Sequence, residues 1–142
     1  MGMPKLGLSS KEEQMHYSVG AILEKDGKYL LIDRANLPYG FAGPAGHVEK
    51  GENEQYAIYR EILEETGLEL TRCELVLEKE VNNLCRRGTG IHYWYLFRCE
   101  VKGHLKLNRK EVKSAGWYYP EEIKQLNLEP IWNYWFRELS II

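Results

Sequence analysis

Apolar and polar positions change period several times along the chain, and each change marks an element. Residues 17–23 and 28–33 are β-prone runs on either side of Asp26 and Gly27, a dipeptide suited to a tight hairpin. From about residue 53 to residue 66 the chain is built of good helix formers, with Ile58, Tyr59 and Ile62 in one sector. Gly67 then stands where a left-handed C-terminal cap is needed. Residues 75–81 predict another strand and residues 91–101 the longest one, with Tyr93, Tyr95 and Phe97 on one face and His92, Trp94 and Leu96 on the other. Two such faces predict a central strand covered from both sides. Leu105 and Leu107 suggest a short edge strand, residues 108–114 a charged loop and residues 117–119 a last strand. After Pro130, Trp132, Trp135, Phe136 and Leu139 repeat at helical spacing and predict a terminal helix packed on the sheet. Residues 1–14 carry little pattern and are read as a flexible extension, leaving residues 15–142 as a single domain.

Composition narrows the class. With 142 residues, 44% of them hydrophobic and 28% charged, the chain is long enough for one globular domain with a proper core. A formal net charge of −2 gives no electrostatic case for duplex nucleic acid as the main partner, whereas a small anion carried on metal ions suits it. Cys73, Cys85 and Cys99 are odd in number and lack metal-ligand spacing, and no apolar N-terminal run resembles a signal peptide or a membrane span. A reducing cytoplasm is the expected location. His16, His47, His92 and His104 show no mutual spacing that suggests a zinc site.

The chemistry concentrates between Gly46 and Leu68. Gly46, Glu52, Arg60, Glu61, Ile62, Glu64, Glu65, Gly67 and Leu68 stand at fixed spacing. At about 100° per residue, Glu61, Glu64 and Glu65 fall on one stripe of the predicted helix. Their mutual repulsion disfavours the ionised state unless cations sit between them, and the hard, oxygen-preferring ions Mg²⁺ or Mn²⁺ suit such ligands. Taken alone, an acidic stripe also describes a solvated helix face; the flanking glycines and Arg60, in register, weigh against that. Ahead of the helix, Gly43, Pro44, Gly46 and Gly51 give a stiff, sharply turning loop that lets backbone approach a ligand. Arg86 with Arg87 in the loop of residues 82–90 are candidate phosphate contacts and equally ordinary surface cations; Arg34 could also meet a phosphate, with a plain surface role as the simpler reading. Tyr17, Tyr39 and Phe41 are stacking candidates for a base, with core packing as the plainer role.

The run from Gly46 to Leu68 is a complete Nudix box, so the sequence resembles the Nudix hydrolase family. The resemblance implies an α/β (α+β) fold, the Nudix-type α/β/α sandwich with a mixed central sheet. It also implies Mg²⁺-dependent hydrolysis of a nucleoside diphosphate linked to a further group. In that pattern Glu61, Glu64, Glu65 and the carbonyl of the residue before the box glycine, here Ala45, hold the metal. Arg60 orients a box carboxylate, Glu52 anchors the loop to the helix, and Glu61 or Glu111 acts as base. Two positions depart from the commoner family pattern: Ala45 precedes Gly46 where many members have a double glycine, and Phe41 stands where many have tryptophan. Downstream of the box there is no proline placed as in many ADP-ribose hydrolases and no tyrosine placed as in diadenosine polyphosphate hydrolases; Leu84 occupies that neighbourhood. A nucleoside triphosphate or other small nucleotide is therefore the first expectation, with nucleotide sugars next. A catalytically silent Nudix domain that binds a nucleotide or a protein is the alternative, and the intact acidic set argues against it. Family members include monomers and dimers, so a homodimer remains an open expectation.

Overall fold

The structure is a computed structural model that describes residues 2–83 and 90–142; Leu84, Cys85, Arg86 and Arg87 lie outside the described residues. Its frame is a pair of long parallel strands, β2 (Gln14–Lys25) and β7 (Ile91–Lys102), in register from His16 opposite His92 to Leu23 opposite Cys99. The outer edge of β7 takes β6 (Glu69–Asn82), antiparallel. Three antiparallel strands share the other edge of β2: β1 (Leu6–Leu8), β5 (Ala45–His47) and β3 (Lys28–Arg34). Two further strands, β4 (Phe41–Ala42) and β8 (Val112–Tyr118), pair with β3. The sheet is thus mixed, as the resemblance implies.

Because side chains alternate across a strand, each face of this sheet builds its own half-core. On one face Val19, Ala21, Leu23 and Phe97 meet Ala57, Ile58 and Ile62 of helix α1 (Glu54–Thr66). On the other, Ile22, Trp94 and Leu96 meet Trp132, Trp135 and Phe136 of helix α3 (Pro130–Glu138). Trp132 and Trp135 are completely buried, and each large apolar side chain hidden this way contributes about 1.5–3 kcal/mol. The result is a sheet between helices, with the long central strand covered on both sides.

Several elements differ from the expectations above. Residues 1–14, expected to be a flexible extension, are tied to the domain: β1 pairs with β2, the Lys5 N–H donates to the Val48 carbonyl at 2.8 Å, and the Ser10 N–H donates to Glu80 at 2.8 Å. The strand expected at residues 75–81 is half of β6. Leu105 and Leu107 form no strand: the Lys106 and Asn108 N–H groups donate to the Thr66 and Glu65 carbonyls at 2.7 and 3.4 Å. That segment satisfies carbonyls that the end of α1 leaves without intrahelical partners, a need stronger than the local strand signal. Residues 112–114, expected in a loop, open β8, because the fully buried Val112 brings the chain into the sheet early. A short helix, α2 (Pro120–Ile123), follows Tyr119. No helix among the described residues is long and apolar enough to cross a membrane.

Candidate active site

Helix α1 begins cleanly because the Asn53 side chain accepts a hydrogen bond from the Tyr56 N–H at 2.8 Å. It ends at Gly67, whose φ of 75° is left-handed and whose N–H returns to the Leu63 carbonyl. These two stops fix the extent of the helix, and the apolar sector that packs into the core fixes its rotation and the direction of its carboxylates. The Ile58 and Ile62 sector goes into the core, so Glu61 and Glu65 are turned toward β5, where both are buried, while Glu64 stays exposed.

Backbone geometry makes this approach possible. A Cβ on Gly46 would lie 2.1 Å from the Glu61 carboxyl carbon, so only glycine lets the strand and this side chain come so close. One residue earlier, the Ala45 N–H donates to Glu65 Oε1 at 2.9 Å and ties β5 to the helix. Arg60 is the joint of the assembly. It forks onto Glu52 through Nε at 2.7 Å and Nη2 at 2.9 Å, and also donates to Glu61 Oε1 at 2.8 Å, the His47 carbonyl at 3.0 Å and Glu64 Oε2 at 3.3 Å. One guanidinium thus holds the last carbonyl of β5 and three carboxylates, and Glu52 in turn accepts the Glu49 N–H at 2.8 Å and so ties in the loop.

Charge balance follows from this placement. Burial pushes the Glu61 carboxyl up to about 7, against the pull of Arg60, and the charges of Glu64 and Glu111 push the same way. Glu65 is raised well above the usual carboxylate range by burial and then by Glu61, while the Ala45 amide and Arg34 oppose the rise. Glu52 moves the other way, because the Arg60 hydrogen bond outweighs its burial. Two buried acids that resist ionisation side by side, next to an exposed third, form a donor set that a hard divalent cation would satisfy.

These carboxylates line a cleft of about 140 Å³, which also reaches Arg34, Glu111 and Glu129. The structure therefore brings Glu111 to the box helix although the two lie far apart in sequence. Arg34 reaches the same cleft, but its Nε already donates to the Pro38 carbonyl at 2.7 Å and lies 3.8 Å from Glu129 Oε2. Phe41 is not among the cleft residues; it packs edge-on against Tyr118 beside the α3 half-core. The expectation for Arg86 and Arg87 lies outside the described residues. A second, larger hollow of about 700 Å³ adjoins the first, shares Pro38, Asn83 and Glu129 with it, and is walled by Val81, Ile131 and Tyr134.

Two features were missed in the sequence. Glu129, immediately before the helix-opening Pro130, is buried and pushed up to about 7 by that burial, with Arg34 opposing. Its position as an acid in front of a helix-starting proline was a visible but weak signal. His16, His47 and His92, for which chain spacing indicated nothing, converge with ring centroids 5.0–5.7 Å apart. The signal lay in the strand phase: His92 shares the buried face of Trp94 and Leu96, where a polar side chain needs a reason.

Comparison with known proteins identifies the family. The NUDIX domain family model matches residues 14–139. A CTP pyrophosphohydrolase of Escherichia coli is 37% identical over 120 residues, covering 79% of this chain and 82% of that protein. The nucleoside triphosphatase NudI of Escherichia coli is 30% identical over 119 residues, covering 75% of this chain and 84% of that protein. Among solved structures, a MutT NUDIX hydrolase from Burkholderia pseudomallei superposes with a TM-score of 0.69 at 26% identity, covering 77% of this chain and 86% of its own. With the complete box, the mixed sheet between helices and this domain-length match, the chain belongs to the Nudix hydrolase family.

Proposed function

We propose that this Nudix pyrophosphohydrolase cleaves a phosphoanhydride bond in a small nucleotide, with nucleoside triphosphates first and nucleotide sugars next. One observation carries the reading: Glu61 and Glu65 are buried together against Gly46 and Ala45, each disfavouring ionisation, at the wall of a cleft that Glu64 and Glu111 complete. Such a set has little use as a solvated face and is suited to Mg²⁺ or Mn²⁺, held by Glu61, Glu64, Glu65 and the Ala45 carbonyl. A metal held there would supply charge neutralisation for the diphosphate and a lowered pKa for a bound water.

The protein's own groups then divide the remaining work. Arg60 is a positioning residue, because it holds Glu61 and Glu52 and through them the angle between loop and helix. Glu61 and Glu111 are the two candidates to take the proton of the attacking water. With Glu61 Oε1 already accepting from Arg60 and the same carboxylate among the groups that would hold the metal, Glu111 is the better candidate for the base. The adjoining hollow, with Tyr134 and Ile131 on its wall, supplies apolar room for a base beside the anionic site.

A panel of nucleoside triphosphates, nucleotide sugars, ADP-ribose and dinucleoside polyphosphates, assayed with and without Mg²⁺, tests the reading. The expected products are a nucleoside monophosphate and pyrophosphate from the triphosphates, formed only with the metal. Absence of turnover across the panel would instead favour the silent binding domain.

A further inference from the structure

Beside the carboxylates, the sheet assembles a second set of metal-type ligands. His16 on β2 and His92 on β7 are direct partners across the parallel pair. His47 on β5 faces Ser18 from the opposite edge of β2 and so lies diagonal to His16, within reach on the same face. The three rings sit 5.0, 5.5 and 5.7 Å apart between centroids, and one nitrogen from each lies within 4.8 Å of the other two. We propose that His16, His47 and His92 form a binding site for a divalent transition-metal ion, Zn²⁺ by its donor set, distinct from the carboxylate site of α1.

Three points support it. First, Zn–N bonds of about 2.0–2.1 Å place tetrahedral nitrogens about 3.3 Å apart, so small ring rotations close the present triangle without moving a strand. Second, His92 is 1% exposed, and among the described residues its ring nitrogens make no well-formed hydrogen bond, the Asn83 backbone offering at most a weak one. A buried imidazole in that condition is costly unless something coordinates it. Third, His47 and His92 line the same cleft as Glu61 and Glu64. Three protein ligands leave a fourth position open toward that cleft, for a water or a phosphate oxygen.

Imidazole nitrogens and carboxylate oxygens sort ions differently, so Mg²⁺ prefers one set and Zn²⁺ the other. A bound ion would also clamp β5 to β2 and β7 and stiffen the strand that presents Ala45 and Gly46 to the helix.

The test is Zn²⁺ titration of the full chain by calorimetry in excess Mg²⁺, which saturates the oxygen site. One equivalent of Zn²⁺ should bind to the wild type, and His16→Gln should weaken it by at least about 100-fold, more than the loss of a ligand's outer partner costs. Glu64→Gln should leave Zn²⁺ binding in place. Imidazole ¹⁵N resonances of the unmodified protein provide a readout that depends on no variant: three histidines should shift together at one equivalent, and His104 should not. Zn²⁺ binding that survives His16→Gln, vanishes with Glu64→Gln, is competed away by Mg²⁺, or leaves the three histidine signals unmoved would overturn the proposal.

Discussion

Replacing Arg60 by glutamine removes, in one side chain, the fork onto Glu52 at 2.7 and 2.9 Å and the bonds to Glu61 at 2.8 Å and the His47 carbonyl at 3.0 Å. A hydrogen bond to a charged group contributes about 1.5–3 kcal/mol, and a buried ion left without its partner costs about 3–5 kcal/mol. The side chains of Arg60 and Glu52 are 14% and 11% exposed, between surface and core, so the net loss for Arg60→Gln should be about 3 kcal/mol. For a domain of this length that corresponds to a fall in Tm of about 10 °C. Turnover should drop by about 10- to 100-fold, as for the loss of a ligand's outer partner, because Glu61 loses its orientation. Urea and thermal unfolding of Arg60→Gln, Glu52→Gln and the double variant form a cycle whose coupling energy should be about 1.5–3 kcal/mol. The pH dependence has a definite sign. Glu52 is held below its ordinary value of 4.5, so its contribution is complete above that pH and is lost as the pH falls through the lower folded value; Arg60→Gln should flatten this acid limb. Additive single effects, with coupling under about 0.5 kcal/mol, would refute the view that this ion pair joins loop to helix.

Gly46→Ala should leave the fold intact by circular dichroism but abolish most turnover, since its Cβ would lie 2.1 Å from the Glu61 carboxyl carbon and force that carboxylate aside; full activity would contradict the tight approach. Glu64→Gln, at a side chain 51% exposed, should cost about 10²- to 10³-fold in Mg²⁺-dependent kcat with little change in Tm, and unchanged kcat would remove it from the site. Glu129, pushed up from 4.5 to about 7, favours the folded state most below pH 4.5 and loses that contribution as the pH rises through about 7. Glu129→Gln should therefore gain up to about 3 kcal/mol relative to wild type between pH 5 and pH 8 in urea melts, and parallel pH profiles for the two proteins would count against it.

What was legible beforehand divides along physical lines. The box helix, its Gly67 end and the Asp26–Gly27 turn depend on local propensity and capping, which sequence displays directly. Asp26 and Gly27 both take positive φ, at 53° and 77°, as that turn requires. The aromatic stripe of α3 and the two-faced strand β7 were visible from period alone. Contacts set by the far partner were not. Leu105 and Leu107 alternate like a strand, but their segment is recruited to the open end of α1. The first residues have little pattern of their own because β1 is held through backbone bonds to β2 and the box loop, which are indifferent to side-chain type. The histidine triangle needed the register of three strands, and no spacing along one chain encodes that register. Glu111 came from family likeness, and the structure now brings it to the same cleft as Glu61 and Glu65.

Crystals grown with Mn²⁺ and a non-hydrolysable nucleoside triphosphate, measured for anomalous scattering, bear most directly on the central claim. Strong peaks should appear among Glu61, Glu64, Glu65 and the Ala45 carbonyl, with the phosphate chain against them. Peaks confined to other groups, or a triphosphate seated away from these carboxylates, would contradict it.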